Sequence, residues 1–435
     1  MQINKIAFIF LLACVSLCAI NIVKAESAVA PETNEVTTVS LHANDSVQAA
    51  SSNNVNGSYS SGLMKMNVPR GIMILLALLL AYLSVAKKYE PLLLLPLAFG
   101  ILLGNIPIAG LSAYDEGGLL HFLYQGIRHV IYPPLIFLCI GAMTDFGPLI
   151  ASPKNALIGI GGQLGIFIAL GGALFFGDFL GPIIPGFDGF GLGDAASIAI
   201  IGSSDGPTSI YTASRLAPDL LPAIAIAAFS YMALVPFIQP PIMRMLTTAK
   251  ERVVVMPEPK KVTQRQKIIF PIAVTIVTLL LVPAAGALIG MFMLGNLIRE
   301  SGVTKRYLGT LQDDFLNILT LLVAVSIGAS ATAEHFLTPQ TLIIIFLGLV
   351  AFSFGTIGGI LIAKILYYTS GGKVNPLIGN SGVSAMPMAA RISQKLGQQY
   401  NPQNHLLMHA MGPIVSSTVG SAIVAGIFIA LYSGG

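Results

Sequence analysis

The chain has 435 residues, 54% of them hydrophobic and only 10% charged, whereas a soluble domain carries roughly 25% charged residues. This excludes an ordinary soluble enzyme, and a net charge of +4 gives no footing for a nucleic-acid partner. Several apolar runs reach the roughly 20 residues needed to cross a bilayer, so the chain reads as an all-α polytopic membrane protein, and its 45 glycines and 26 prolines predict broken helices.

Residues 1–25 read as a signal peptide, with Lys5 as the charged start, 6–23 as the apolar run and Val23-Lys24-Ala25 as a small-residue cleavage site. Residues 26–66, rich in Ser, Asn, Ala, Val and Thr, read as a disordered exported segment. Lysines and arginines near span ends set the orientation. A first span at 70–86 ends at Lys87-Lys88, on the cytoplasmic side. Spans at 91–107, 130–147 and 155–177 follow, with 108–127 outside. Cys14 and Cys18 fall in the leader and Cys139 in a span, so neither a disulfide framework nor a metal cluster is indicated.

Next comes Gly202-Ser203-Ser204-Asp205-Gly206-Pro207-Thr208-Ser209-Ile210-Tyr211, one acid in an apolar setting. An ionisable residue at membrane depth is a functional candidate by default. Irregular backbone there must be buried or line a cavity. A span at 220–243 closes a first membrane half, 67–243. The segment 244–267 holds seven Lys and Arg residues, from Arg244 to Lys267, against Glu251 and Glu258, and reads as a basic cytoplasmic loop. The second half, 268–435, carries spans at 268–283, 286–298, 313–333, 340–367 and 404–431, and a second irregular stretch at 375–398.

The halves match at several points in the same order. Ile140-Gly141-Ala142 answers to Ile327-Gly328-Ala329, and Ser152-Pro153 to Thr338-Pro339. Gly206, Thr208, Ala213 and Arg215 answer to Gly382, Ser384, Ala389 and Arg391. The charge rule puts Ser152-Pro153 inside and Thr338-Pro339 outside, so the repeats have inverted topology. Two re-entrant hairpins, entering from opposite sides, then meet near the midplane in a transporter-like fold. The tips offer Asp205, Ser203, Ser204, Thr208, Asn375, Asn380, Ser381, Ser384 and freed carbonyls. These hard oxygens suit a small cation, and a single carboxylate suits a monovalent ion such as Na⁺ better than a divalent one. Tyr231 is either a ligand or proton donor to this site or a core tyrosine. Arg391 is either a carboxylate clamp or an interfacial arginine whose head snorkels to water.

Several motifs carry a resemblance. They are Ile131-Tyr132-Pro133-Pro134-Leu135-Ile136-Phe137-Leu138, Gly141-Ala142-Met143-Thr144-Asp145-Phe146-Gly147-Pro148-Leu149-Ile150, the Asp205 stretch, Asn375-Pro376-Leu377-Ile378-Gly379, Gly382-Val383-Ser384-Ala385 with Pro387-Met388-Ala389-Ala390-Arg391, and His409-Ala410-Met411-Gly412-Pro413. Over residues 67–432 the chain resembles the β subunit of the sodium-pumping, biotin-dependent decarboxylases. The resemblance implies an elevator-like membrane subunit that takes carboxybiotin from a carrier, releases CO₂ with uptake of a proton and exports Na⁺. It implies catalytic roles for Asp205, Tyr231 and Arg391, carboxybiotin binding at Arg391, and Na⁺ binding at Asp205, Asn375, Gly379 and Ser384. It also implies a biotinyl carrier and carboxyltransferase α subunit, a small membrane γ/δ subunit, a homo-oligomer, and the bacterial inner membrane. Because the chain lacks an Ala-Met-Lys-Met biotin-attachment motif, biotin belongs to another chain. The family usually has Asn where Ile414 stands, which removes a polar contact from that side. A Na⁺-coupled secondary transporter would share the topology and hairpins without the decarboxylation.

Overall fold

The computed structural model describes residues 66–433 except 108–110, 186 and 259–260. The expected signal peptide, and the exported segment up to residue 65, lie outside the described residues. All regular structure among the described residues is helical. The longer helices are α1 (Val68–Lys87), α2 (Pro91–Asn105), α3 (Leu119–Arg128), α4 (Tyr132–Met143), α5 (Leu164–Leu180), α6 (Leu192–Ile200), α7 (Gly206–Leu216), α8 (Leu221–Leu246), α9 (Gln264–Leu281), α10 (Gly286–Ser301), α11 (Phe315–Ser330), α12 (Pro339–Thr369), α13 (Met388–Tyr400) and α14 (Leu407–Tyr432). Among the described residues six helical segments are long and apolar enough to cross a membrane, or eight if each of two bent pairs counts as one span. The chain is a multi-pass membrane protein.

The breaks have local causes. Lys88 and Glu90 both take left-handed backbone between α1 and α2, and Pro91 then opens α2. Helices α3 and α4 meet at 69°, where Val130 has φ 61° and Pro133-Pro134 start the next helix. Helix α8 bends by 60° between Met232 and Leu234. Pro236 removes the amide that would bond back to Met232 there.

Two crossings hold the scaffold. A methyl group at Gly141 would sit 1.9 Å from the Phe292 carbonyl oxygen of α10, and one at Gly295 would sit 2.0 Å from the Leu138 oxygen of α4. The backbones touch, as small residues allow in membranes. Helices α2 and α11 cross in the same way at Gly100 and Gly328. Each crossing is closed by an asparagine. Asn105 Nδ2 donates to the Ala331 carbonyl at 2.8 Å, and Asn296 Nδ2 donates to the Thr144 carbonyl at 2.7 Å. A separate apolar cluster packs Val235, Phe352, Ile378, Val383 and Ile414 around the 376–385 stretch.

Candidate functional site

The first hairpin runs from α6 through a 3₁₀ turn at Ile201–Ser203 into α7. Ser204 adopts a left-handed conformation at φ 58°, which turns the chain so that Asp205 becomes the N-cap of α7. Pro207 fits the first turn, where its missing amide is not needed. Asp205 Oδ1 accepts from the Thr208 amide at 3.3 Å, so the carboxylate faces the positive end of the α7 dipole. The residue is only 5% exposed.

Two hydroxyls beside this carboxylate are buried without a hydrogen bond of normal geometry, Ser204 Oγ and Thr208 Oγ1. Buried hydroxyls nearly always find partners, so both oxygens are free to take a further one. Helix α14 supplies a third. Ser421 Oγ lies 2.9 Å from Asp205 Oδ2 and 3.0 Å from the Thr418 carbonyl oxygen. A hydroxyl has one proton, so Ser421 either donates to the carboxylate or turns to Thr418 and presents a lone pair.

The second hairpin is the 3₁₀ segment Pro376–Gly382 followed by α13. Its tip meets the first directly, because the Ser384 amide donates to the Ser203 carbonyl at 2.8 Å. Ser384 Oγ donates to Ser417 Oγ of α14 at 3.1 Å. Gln163 reaches the same serine, with Nε2 3.2 Å from Ser417 Oγ. Asp205, Ser204 and Ser384 line one cavity of about 360 Å³, together with Thr320, Thr418 and Glu90.

The other sequence candidates lie apart from this cluster. Asn375 is fully buried at the base of the hairpin. Its Nδ2 donates to the carbonyls of Arg252 and Val254 at 3.1 and 2.8 Å, and its Oδ1 accepts from the Leu377 amide at 2.9 Å. Gly379 packs on α12, where a methyl would lie 2.4 Å from Ile360 Cα. The Tyr231 hydroxyl donates to the Ile345 carbonyl of α12, and the residue is not among those lining the cavity. Arg391 is exposed on α13 in a surface groove with Gln394, Lys395 and Gln398, apart from the residues that line the Asp205 cavity. Asn380 and Ser381 are engaged below the tip, with Asn380 Nδ2 bonded to Gln239 Oε1 and the Ala389 carbonyl, each at 2.9 Å. Ile414 is wholly buried in the second apolar cluster rather than on the cavity wall.

Sequence reasoning missed Gln163, Ser417, Thr418, Ser421 and Glu90. The spacing of Ser417, Thr418 and Ser421 puts them on one helix face, a polar stripe within an apolar span that would have signalled α14.

Comparison with known proteins agrees with this architecture. The family model described as Na⁺-transporting oxaloacetate decarboxylase beta subunit matches residues 69–432. The methylmalonyl-CoA decarboxylase subunit beta of Veillonella parvula is 52% identical over 373 residues, covering 86% of this chain and 96% of its own. The glutaconyl-CoA decarboxylase subunit beta of Acidaminococcus fermentans is 49% identical, with the same coverage of 86% and 96%. The oxaloacetate decarboxylase beta chain of Klebsiella pneumoniae is 45% identical, covering 85% and 96%. With a family match across nearly all the described residues, this chain belongs to the Na⁺-transporting decarboxylase beta subunits, as a membrane subunit of an enzyme complex.

Proposed function

We propose that the chain decarboxylates carboxybiotin presented by a separate carrier subunit, with uptake of one proton, and couples this to export of Na⁺. The observation that carries the reading is the buried Asp205 carboxylate, which lines a cavity together with Ser204 and has the buried hydroxyls of Ser204 and Thr208 beside it. One carboxylate among neutral oxygens offsets the dehydration of a monovalent ion without over-binding it. Ser421 completes the set by turning its proton to the Thr418 carbonyl. When a proton replaces the ion, the same carboxylate is neutralised and Ser421 again becomes free to reorient.

The chemistry releases CO₂ from a carboxylate and places a proton where the carboxyl was. Arg391, exposed in a surface groove of its own, is suited to hold that carboxylate by two parallel hydrogen bonds. Asp205 is the acid within the cavity. Tyr231 would have to leave the Ile345 carbonyl to deliver a proton, so we assign it to holding α8 against α12.

The coupling reading rests on two inverted repeats. The equivalent asparagines support it, since Asn105 and Asn296 cap corresponding chain breaks in opposite halves. So does the joining of the two tips through Ser384 and Ser203. The partners are the carrier and carboxyltransferase subunit and a small membrane subunit. The basic loop 244–267 faces the cytoplasm, the side from which the carrier comes.

The experiment is reconstitution of the chain with its partner subunits in proteoliposomes. Decarboxylation of the complex's substrate and Na⁺ uptake into the lumen should start together and stop together when Asp205 is replaced by Asn. Na⁺ movement without decarboxylation would make the chain a secondary transporter instead.

A further inference from the structure

Asn317 stands on α11 in the wall of the Asp205 cavity, and the site described so far gives it no task. An asparagine in an apolar span ordinarily bonds to a neighbouring helix, as Asn105 and Asn296 do at their crossings. The Asn317 side chain makes no hydrogen bond to any described residue, and the residue is exposed. Among the described residues lining the cavity it is the one side chain with an N–H donor. Three of the lining hydroxyls already donate elsewhere, Thr320 to the Leu316 carbonyl, Ser384 to Ser417 Oγ and Thr418 to the Ile414 carbonyl. Much of the remaining wall is apolar, with Ile136, Ile140, Phe229, Met232 and Val323. Asp205 and Ser204 belong to the first hairpin, whereas Asn317 belongs to a helix seated on α2 at Gly100 and Gly328. The cavity therefore offers a ligand an apolar enclosure, a free amide from the scaffold and an acid from the hairpin. Its volume of about 360 Å³ lies at the small end of ligand pockets, roughly 300–1,000 Å³, which is room for a small ring system and not for a protein domain.

We propose that this cavity seats the ureido ring of carboxybiotin, and that Asn317 binds the ring's uncarboxylated edge. A side-chain amide presents an acceptor and a donor side by side. The uncarboxylated edge presents the complement, an N–H beside the ring carbonyl, so a pair of hydrogen bonds forms together. The edge that carries the carboxylate is then turned away from Asn317, toward the hairpin that holds Asp205. Apolar walls strip water from that carboxylate, which favours its loss. The N–C bond breaks with its electron pair left on nitrogen, CO₂ departs, and that nitrogen takes the proton that the proposed function assigns to Asp205. Arg391 acts earlier. Its amide donates to the Pro387 carbonyl one turn back, and Pro387 lines the cavity, so the Arg391 groove is the first station for the arriving carboxylate and the cavity the second. This deepens the proposed function and rests on carboxybiotin being the substrate.

The test measures initial rates of free carboxybiotin decarboxylation by the chain assembled with its partner subunits. Free biotin, the product, serves as inhibitor, beside biotin methylated on the ureido nitrogen that is not carboxylated. In the unmodified protein the methylated compound should inhibit about tenfold less well, because it lacks the N–H and leaves the Asn317 oxygen unpaired. In Asn317→Leu, a change of similar size that removes no hydrogen bond within the protein, biotin should inhibit about tenfold less well and the two compounds should become equal. The KM for carboxybiotin should rise by the same factor, with kcat and the KM for Na⁺ within about twofold of the unmodified protein, as loss of uniform binding requires. Equal inhibition by the two compounds in the unmodified protein would overturn the proposal without any variant. So would a preference for biotin that Asn317→Leu retains in full, or a KM for Na⁺ that rises in place of that for carboxybiotin, which would make Asn317 an ion ligand. An unmodified complex that does not turn over carboxybiotin ends the underlying reading and this one with it. Turnover that is indifferent to Asn317 ends only the assignment made here.

Discussion

The two hairpins use similar residues and treat their polar atoms in opposite ways. In the first, Ser204 and Thr208 leave their hydroxyls unpartnered beside a buried carboxylate. In the second, polar groups below the tip are saturated. Asn375 is bound by two carbonyls and an amide, and Asn380 by Gln239, Ala389 and the hydroxyl of Ser393. A satisfied buried amide holds a backbone in place, and moving it costs its hydrogen bonds. An unsatisfied buried hydroxyl next to a charge is poised for a ligand. On the proposed reading the first tip binds and the second is held, and Ser384 is the polar residue of the second tip that reaches the shared cavity.

The largest effect that tests this contrast is at Asp205. Asp205→Asn keeps the shape and the acceptor for the Thr208 amide but removes the charge that offsets ion dehydration. Removing one member of a buried charge pair typically costs about 3–5 kcal/mol, so the apparent affinity for Na⁺ should fall by on the order of a hundredfold or more. The protein should still insert and fold, because a buried acid at membrane depth lowers stability. Na⁺-dependent carboxybiotin decarboxylation reads the first effect, and thermal unfolding in detergent reads the second. Wild-type Na⁺ dependence in Asp205→Asn would move the binding role to another region.

Asn375→Ala should reverse that pattern. It strands the Val254 carbonyl and the Leu377 amide and leaves the Arg252 carbonyl with Asn404 Nδ2 alone, and lost buried hydrogen bonds at about 1 kcal/mol each predict about 2–3 kcal/mol of destabilisation. The thermal midpoint should fall, while the KM for Na⁺ of the folded fraction stays near that of the unmodified protein. A raised KM with an unchanged midpoint would make Asn375 an ion ligand, the role the family resemblance implies for it.

Arg391→Lys belongs between the two classes. An ammonium cannot reproduce a guanidinium's two parallel bonds to a carboxylate, so kcat/KM for carboxybiotin should fall about tenfold, on the scale of one charge-assisted hydrogen bond. Arg391 is exposed, so stability should not change. A snorkelling arginine would tolerate the substitution, and unchanged decarboxylation would give it that role.

The spans, the two hairpins and Asp205 were legible because hydropathy, Gly/Pro breaks and a lone acid are chemical signals carried by the residues themselves. What a side chain faces is not such a signal. Asn375 and Thr208 are equally polar on paper, yet one is bonded to loop carbonyls more than a hundred positions away and the other stands beside the Asp205 carboxylate. Tyr231 likewise reads as a ligand or proton donor or as a core tyrosine, and only the structure shows its hydroxyl donating to the Ile345 carbonyl. Ser421 was hidden differently: serines in apolar helices usually return their proton to their own helix, and only the approach of α7 gives this one a second partner. Glu90 was masked by its neighbours Lys87 and Lys88, which made it look like part of an ordinary solvated turn.

The smallest effect is the most discriminating, because it compares two buried hydroxyls of the same chemistry. Thr208→Val replaces a buried hydroxyl beside the Asp205 carboxylate by a methyl of the same shape, and both side chains are β-branched. The protein loses only the hydroxyl's contact with the Asp205 carboxylate, and a buried polar group no longer has to be desolvated, so stability should change by no more than about 1 kcal/mol. Ion binding loses one neutral ligand, and the KM for Na⁺ should rise about threefold to fivefold, the equivalent of about 1 kcal/mol. Ser393→Ala makes the matching change in the second hairpin. The Ser393 hydroxyl is bonded to Asn380 Oδ1, and its removal leaves a buried amide oxygen short of a donor, for a loss of about 1–2 kcal/mol with little change in KM. Unfolding midpoints and Na⁺ titrations on the two variants check both halves of the contrast. Should Thr208→Val destabilise the protein and leave the KM untouched, its hydroxyl is a structural group, and the ion then rests on Asp205, Ser204 and Ser421 alone.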